Sequence, residues 1–292
     1  MSISRSAWVH AAGLCFALAF GAQAQISVEL LIDQEQFLRD ESLPVRVRIV
    51  NRSGQTLHFG PVAEWLSLHV EMRDGKAVQK AGELSGGEEF TLESSMIATR
   101  LVDLTGSFKF DLPGRYNITA VVKVNDWKEE FTSKPKQVEI VRGTKLWEQE
   151  FGVPTETGAP EVRKYILQQA QYQKQIMLYL RVTDPGERYS VRCVPVGPLV
   201  SFSRPEAQVD RASNLHLLFQ TGARSFRYAV FNPSGEIVVR QYHDYGRSRP
   251  TLRMNDAGGI FVNGGNRRIL PEDVPPPAMV SNSTNEVSVP KP

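Results

Sequence analysis

Tyr116-Asn117-Ile118-Thr119-Ala120-Val121-Val122-Lys123-Val124 is the stretch that decides the fold. Tyr116, Ile118, Ala120, Val122 and Val124 fall on one side of an extended chain, and Asn117, Thr119 and Lys123 on the other. Successive side chains of a strand point to opposite faces, so this alternation makes one face dry and the other wet. The same period appears upstream in Ile26, Val28, Leu30 and Ile32, and in Val45, Val47 and Ile49 with Arg46 and Arg48 opposite. It appears again in Leu66, Leu68, Val70 and Met72, set against Ser67, His69 and Glu71. Turn signals separate these runs: Asn51-Arg52-Ser53-Gly54, Asp74-Gly75, Ser85-Gly86-Gly87 and Pro113-Gly114. Short strands punctuated this way over about 100 residues predict an antiparallel β-sandwich across 25–142.

Pro113-Gly114-Arg115-Tyr116, opening that central strand, resembles the bacterial immunoglobulin-like domains, as does the strand from Leu43 to Asn51 with Ser53-Gly54 after it. The resemblance spans about 115 residues and lacks a Cys–Trp–Cys set. It implies that the Tyr116 hydroxyl ties back to the preceding corner, and that the module spaces or binds.

Downstream the chain repeats itself. Ser203-Arg204-Pro205 recurs as Ser248-Arg249-Pro250, and the two segments then align at a spacing of 45. Val209-Asp210 meets Met254-Asn255, Leu215 meets Ile260 and Leu217 meets Val262. Further upstream, Asp184-Pro185-Gly186-Glu187 resembles Asn232-Pro233-Ser234-Gly235-Glu236. Each repeat reads as four strands: 176–183, 189–196, 206–210 and 214–220, then 226–232, 237–243, 251–255 and 259–263. Four strands per 40–45 residues is the signature of a β-propeller blade. The stretch from Val209 to Leu217 resembles the neuraminidase-repeat type of blade, although the nearest equivalent of its Asp box, Asn255 to Gly259, has neither the Ser nor the Trp. Two blades cannot close a propeller, so the sheets are expected to pack within the chain and cover their edges.

The N-terminus reads as a cleaved secretory leader, 1–24. Arg5 is followed by the apolar run Ala11 to Phe20 and by Ala22-Gln23-Ala24, with cleavage between Ala24 and Gln25. Ten apolar residues are too few to span a bilayer, which takes ~20. Cys15 lies inside the run rather than at the cleavage point, which argues against lipidation. The mature chain is then expected in the periplasm or outside the cell, with no integral membrane segment. Cys193 is its one remaining cysteine and reads as a small buried hydrophobe. Lys and Arg number 34 against 32 Asp and Glu, and cleavage removes only Arg5 from the count. That balance offers no general attraction to nucleic acid. Residues 143–162, with Gly143, Gly152, Pro154, Gly158 and Pro160, read as a linker, and 163–175 as a strand that begins a β module over 163–270. From Pro271 to Pro292 the Pro- and Ser-rich tail is expected to be disordered.

No nucleophile elbow, phosphate loop or paired-cysteine motif is present, and no cofactor is implied. His58, His69, His216 and His243 lack the short fixed spacing of metal ligands, so no metal is expected and each reads as a structural or exposed imidazole. Asp184, Asp210 and Asp256 sit at turns, where Asp side chains bind local backbone. The sequons at Asn51, Asn117 and Asn282 read as chance matches in a chain with a bacterial type of leader. The candidate ligand contacts are Arg204, Arg249 and His216, with a repeated turn as the simpler reading of each Ser-Arg-Pro. The expectation is an exported, non-catalytic module that binds a protein or glycan. Its alternatives are a polysaccharide-active enzyme with its site on the C-terminal module and a self-associating envelope protein.

Overall fold

The computed structural model describes residues 26–84, 89–153 and 161–275. The leader, the Ala24–Gln25 site, the Ser85-Gly86-Gly87 turn, positions 154–160 and positions 276–292 lie outside the described residues. The chain is all-β, with several largely antiparallel sheets and one four-residue helical turn.

The first module contains β1 (Ile26–Leu31), β2 (Gln36–Leu38), β3 (Pro44–Asn51), β4 (Leu57–Phe59), α1 (Val62–Trp65), β5 (Leu66–Met72), β6 (Phe90–Leu92), β7 (Ile97–Asp103), β8 (Gly114–Val124), β9 (Glu129–Thr132) and β10 (Lys136–Val141). One sheet runs β1-β3-β7 and the other β2-β10-β8-β5, with β9 added along β8. Their inner faces share one core, in which Val45, Val47 and Ile49 face Ile118, Ala120 and Val122. All six are fully buried, and burying an aliphatic side chain of this kind stabilises by about 1.5–3 kcal/mol. The deciding stretch is the spine of this sandwich, since β8 pairs with β5, β9 and β10. The Tyr116 hydroxyl donates to the Leu112 carbonyl and so pins the corner before β8. Asn51 is fully buried: its Nδ2 donates to the Gln55 and Leu92 carbonyls, and its Oδ1 accepts from Ser53. Its place in a sequon therefore coincides with a turn-forming role.

The second module contains β11 (Thr144–Val153), β12 (Glu161–Tyr172), β13 (Gln175–Thr183), β14 (Ser190–Leu199), β15 (Glu206–Val209), β16 (Leu215–Gln220), β17 (Ser225–Phe231), β18 (Ile237–Asp244), β19 (Thr251–Met254), β20 (Ile260–Asn263) and β21 (Asn266–Arg268). The strand expected across 163–175 is β12. The linker reading needs correction, because Thr144–Val153 is a ten-residue strand paired along β12. Only Phe151 on it is buried, with Trp147 and Val153 half-buried, so an edge strand with two mostly wet faces has the composition of a loop.

The eight strands of the repeat form close to their expected places, but their grouping into sheets differs. β11-β12-β13-β14 make one sheet, β15-β16-β17-β18-β21 a second, and β19-β20 a separate hairpin. The repeat survives as hairpins in identical register, with Val209 opposite Leu215 and Met254 opposite Ile260. The two large sheets pack on each other through Tyr165, Leu167, Leu178 and Leu180 on one side and Leu215, Leu217, Phe219 and Phe231 on the other. The β19–β20 hairpin covers the far face of the second sheet, with Leu252 and Ile260 against Leu218, Tyr228 and Val230. Within the chain, then, packing and a hairpin cover the sheet faces, while β11, β14 and β15 remain sheet ends among the described strands.

The tail reading also needs correction at its start. Val274 bridges Arg240 on β18, the Glu272 carbonyl accepts from Arg240 Nε, and Asp273 is buried beside Arg267. A buried carboxylate with a guanidinium 3.2 Å away anchors these residues in spite of their loop-like composition.

Candidate functional site

Four hairpins of the second module turn in the same way. Asp184, Asp210, Asn232 and Asn255 each place a side-chain oxygen on backbone N–H groups across their own turn. Three residues after each comes a positive φ, at Glu187, Ser213, Gly235 and Gly258. In each, the N–H of that left-handed residue donates back to the carbonyl of the first, a common way to link two strands. The turn reading of Asp184 and Asp210 holds, whereas Asn255 rather than Asp256 does this work in the last hairpin.

At the β15–β16 turn the cap reaches further. Asp210 Oδ1 accepts from the backbone N–H of Ala212 and Asn214, and Oδ2 from Asn214 Nδ2. The same Oδ2 lies 3.1 Å from His216 Nε2, and His216 Nδ1 lies 2.7 Å from the Tyr228 hydroxyl on β17. Burial pushes the Tyr228 phenol up to about 12, with the Asp210 charge adding to it. The phenol therefore stays protonated, and the His216 ring bridges the Tyr228 hydroxyl and the Asp210 carboxylate. Burial works to raise the Asp210 carboxyl, but hydrogen bonds from Asn214 and His216 outweigh it and hold it below the usual range. The three groups form a closed chain from turn to sheet in which both ring nitrogens are engaged. Its chemistry is that of a strut that locks the hairpin onto β17.

The other candidates lie around this strut. Arg249 sits over the Phe226 ring at 5.3 Å, on the face of the sheet that also carries Tyr228. Arg204 is exposed on the approach to β15 and joins neither Arg249 nor His216 in a described contact. Each Ser-Arg-Pro leads into the first strand of a hairpin. His58 is exposed, 3.5 Å from Asp126, and His243 is buried between β17 and β21. Cys193 is buried, and burial pushes its thiol well up, as suits a small hydrophobe. Among the described residues no group of three or more His, Cys, Asp or Glu is arranged to hold a metal.

Two polar features were missed in the sequence. Arg181, buried on β13, crosses to the first module, with Nη2 2.6 Å from Asp40 Oδ2 and Nη1 3.7 Å from Glu187. Beside it Leu38 packs with Ala170, Tyr179 and Cys193, so the module junction has an apolar patch and an ion pair between a buried arginine and a partly exposed aspartate. A cleft of about 560 Å³ opens there, lined by Asp40, Glu41, Phe110, Tyr189 and Arg192 among others. The second feature is Arg227 on β17, half-buried beneath β14. Both arginines carried the same signal, a lone charge inside an otherwise apolar run: Leu178 to Val182, and Phe226 to Phe231.

The sequence matches no protein-family profile and no curated protein. Among solved structures the chain is similar to Spo0M, a sporulation control protein from Bacillus subtilis, at 7% identity and a TM-score of 0.27. That match covers 59% of this chain and 89% of the other, and at such a score it carries no argument about fold or function.

Proposed function

We propose that the chain is an exported, non-catalytic binding protein whose first module, an immunoglobulin-like spacer, presents an open sheet edge to a protein partner. The observation that carries this reading is β7. It ends the β1-β3-β7 sheet and pairs with β3 alone among the described strands. Ile97 and Leu101 on its outer face are 50% and 64% exposed, and Met96 just before it is 55% exposed. A bare edge flanked by large apolar side chains offers main-chain hydrogen bonds and a hydrophobic anchor to an extended segment. Beside it, Arg46 and Arg48 pair with Asp33 and Glu29, giving the apolar strip a charged border. The leader pattern of 1–24 supports a site of action in the periplasm or beyond. The closed Asp210–His216–Tyr228 chain supports a structural role for the most enzyme-like group of side chains.

The test is a cross-linked pull-down from the native envelope with tagged residues 25–292, run beside the double variant Ile97→Glu, Leu101→Glu. Both positions are exposed, so the variant keeps its fold. The expected result is one dominant partner held by the native protein and lost by the variant. Equal capture by both, or none above an unrelated exported control, would overturn the assignment to β7. If the partner is a second copy, light scattering will show a mass that rises with concentration for the native chain only.

A further inference from the structure

The second module holds a cleft that the sheet-edge reading does not use. The β15-β16-β17-β18-β21 sheet is wider than the sheet it packs on, which ends at β14. Where the wider sheet overhangs, its core-facing side carries charge. Arg227 continues the inward row of Ala229 and Phe231, and the cross-strand pairs Ala229–Arg240 and Arg227–Tyr242 place Arg240 and Tyr242 on that face as well.

The edge strand β14 is shaped around Arg227. Leu178 pairs with Gly197 and Tyr179 with Pro195, so Val196 is an extra, bulged residue. Bulges at sheet edges re-aim backbone groups, and here the Val196 carbonyl accepts from Arg227 Nη1 at 2.7 Å. Gly197, with φ at +152°, lies so close that an added Cβ would sit 2.4 Å from that same nitrogen. The guanidinium rests over the Tyr242 and Phe219 rings at 5.0 and 5.9 Å. Its Nε is buried without a partner.

Among the described residues neither Arg227 nor Arg240 has a carboxylate within ion-pairing distance, their acceptors being the Val196 and Glu272 carbonyls. Among the described residues Glu236 is the one acid lining the cleft, and it pairs with Arg192 at 3.6 Å. A partly desolvated guanidinium without a counter-charge is costly, and its planar fork matches a carboxylate. The cleft measures about 320 Å³, and its walls are Val194, Val196, Phe231 and Ile237. Among the described residues no neutral amide or hydroxyl side chain lines it, which disfavours a sugar ring and favours an apolar body.

We propose that this cleft binds a carboxylate attached to an apolar body, with Arg227 and Arg240 taking the carboxylate and the aliphatic walls taking the body. Such a group comes from a free aliphatic acid or from the end of a peptide chain with an apolar last residue. The site is independent of β7, so either assignment can fail alone.

The experiment is calorimetric titration of residues 25–292 with octanoate, with octanol, and with a short peptide ending in leucine as free acid or as amide. The expected result is binding of a carboxylate and not of its neutral counterpart, weakened roughly tenfold or more by Arg227→Met. Octanoate alone binding identifies a free acid, and the peptide acid alone identifies a chain end. Nitrogen-detected NMR of the native protein gives a second readout, because the Arg227 Nε–H signal should shift on binding even if the variant is unstable. No binding of either carboxylate, or binding that leaves that signal unmoved, overturns the proposal.

Discussion

In the first module, strands are dry on one face and wet on the other, whereas strands at the centre of the second are dry on both. Along β8 every buried residue alternates with one that is at least partly exposed. Along β16, Leu215 to Phe219 are all buried, and so are Leu178 to Thr183 along β13. The difference follows from the number of layers. Away from the junction at Leu38 and Val141 the sandwich of the first module has its outer faces in water, while β13 lies between the first module and the β15–β21 sheet, and β16 between β13's sheet and the β19–β20 hairpin. Alternation is thus a measure of how many neighbours a strand has, and its loss marks a middle layer.

The sharpest way to break this comparison is to empty a middle layer. Phe219→Ala should cost about 3–5 kcal/mol in denaturant unfolding, while Thr99→Ala on the wet face of β7 should stay within about 0.5 kcal/mol. Next comes the junction that makes β13 a middle strand. Arg181→Ala leaves Asp40 with only the more distant Arg39 at 3.8 Å and should cost about 2 kcal/mol, the partly exposed Asp40 limiting the loss. Arg181→Met combined with Asp40→Asn, a neutral residue that tolerates the positive φ of 64° at this position, should recover most of it, which a double-mutant cycle would read. A smaller effect is expected at the first module's corner, where Tyr116→Phe removes the bond to Leu112 at a cost of about 1 kcal/mol.

The smallest effect is a pH dependence in the outer layer. Burial, and then the Arg267 charge, lower His243 below its ordinary 6.5, with Asp273 and Asp244 opposing the shift. The unfolded chain therefore takes up the proton first, and stability is lost as pH falls below about 6.5 towards the folded value. His243→Gln should flatten that part of the stability–pH curve, and an unchanged slope would assign it to other groups.

Most strands were legible because the first module's alternation and the second module's turns are local signals. Sheet membership in the second module was not, since two hairpins of identical register can join one sheet or stand apart, and only tertiary packing chooses. β11 was hidden because its exposed faces carry Lys145, Glu148 and Glu150, whose charges protect a bare edge and also resemble a loop. At the candidate site His216 was legible as a structural imidazole, but its tie to Tyr228 depends on the β16–β17 pairing. Arg204 and Arg249 drew notice through repetition, and each lies just before the first strand of its hairpin. Arg181 and Arg227 occur once each, within apolar runs, and they hold the junction and the cleft.

Amide hydrogen exchange on residues 25–292 tests the layered account most directly. Leu178 to Thr183 and Leu215 to Phe219 should exchange slowest in the chain, and those β7 amides whose N–H points away from β3 should exchange fast, as an open edge requires. Exchange in β13 and β16 as fast as along that edge would contradict the account.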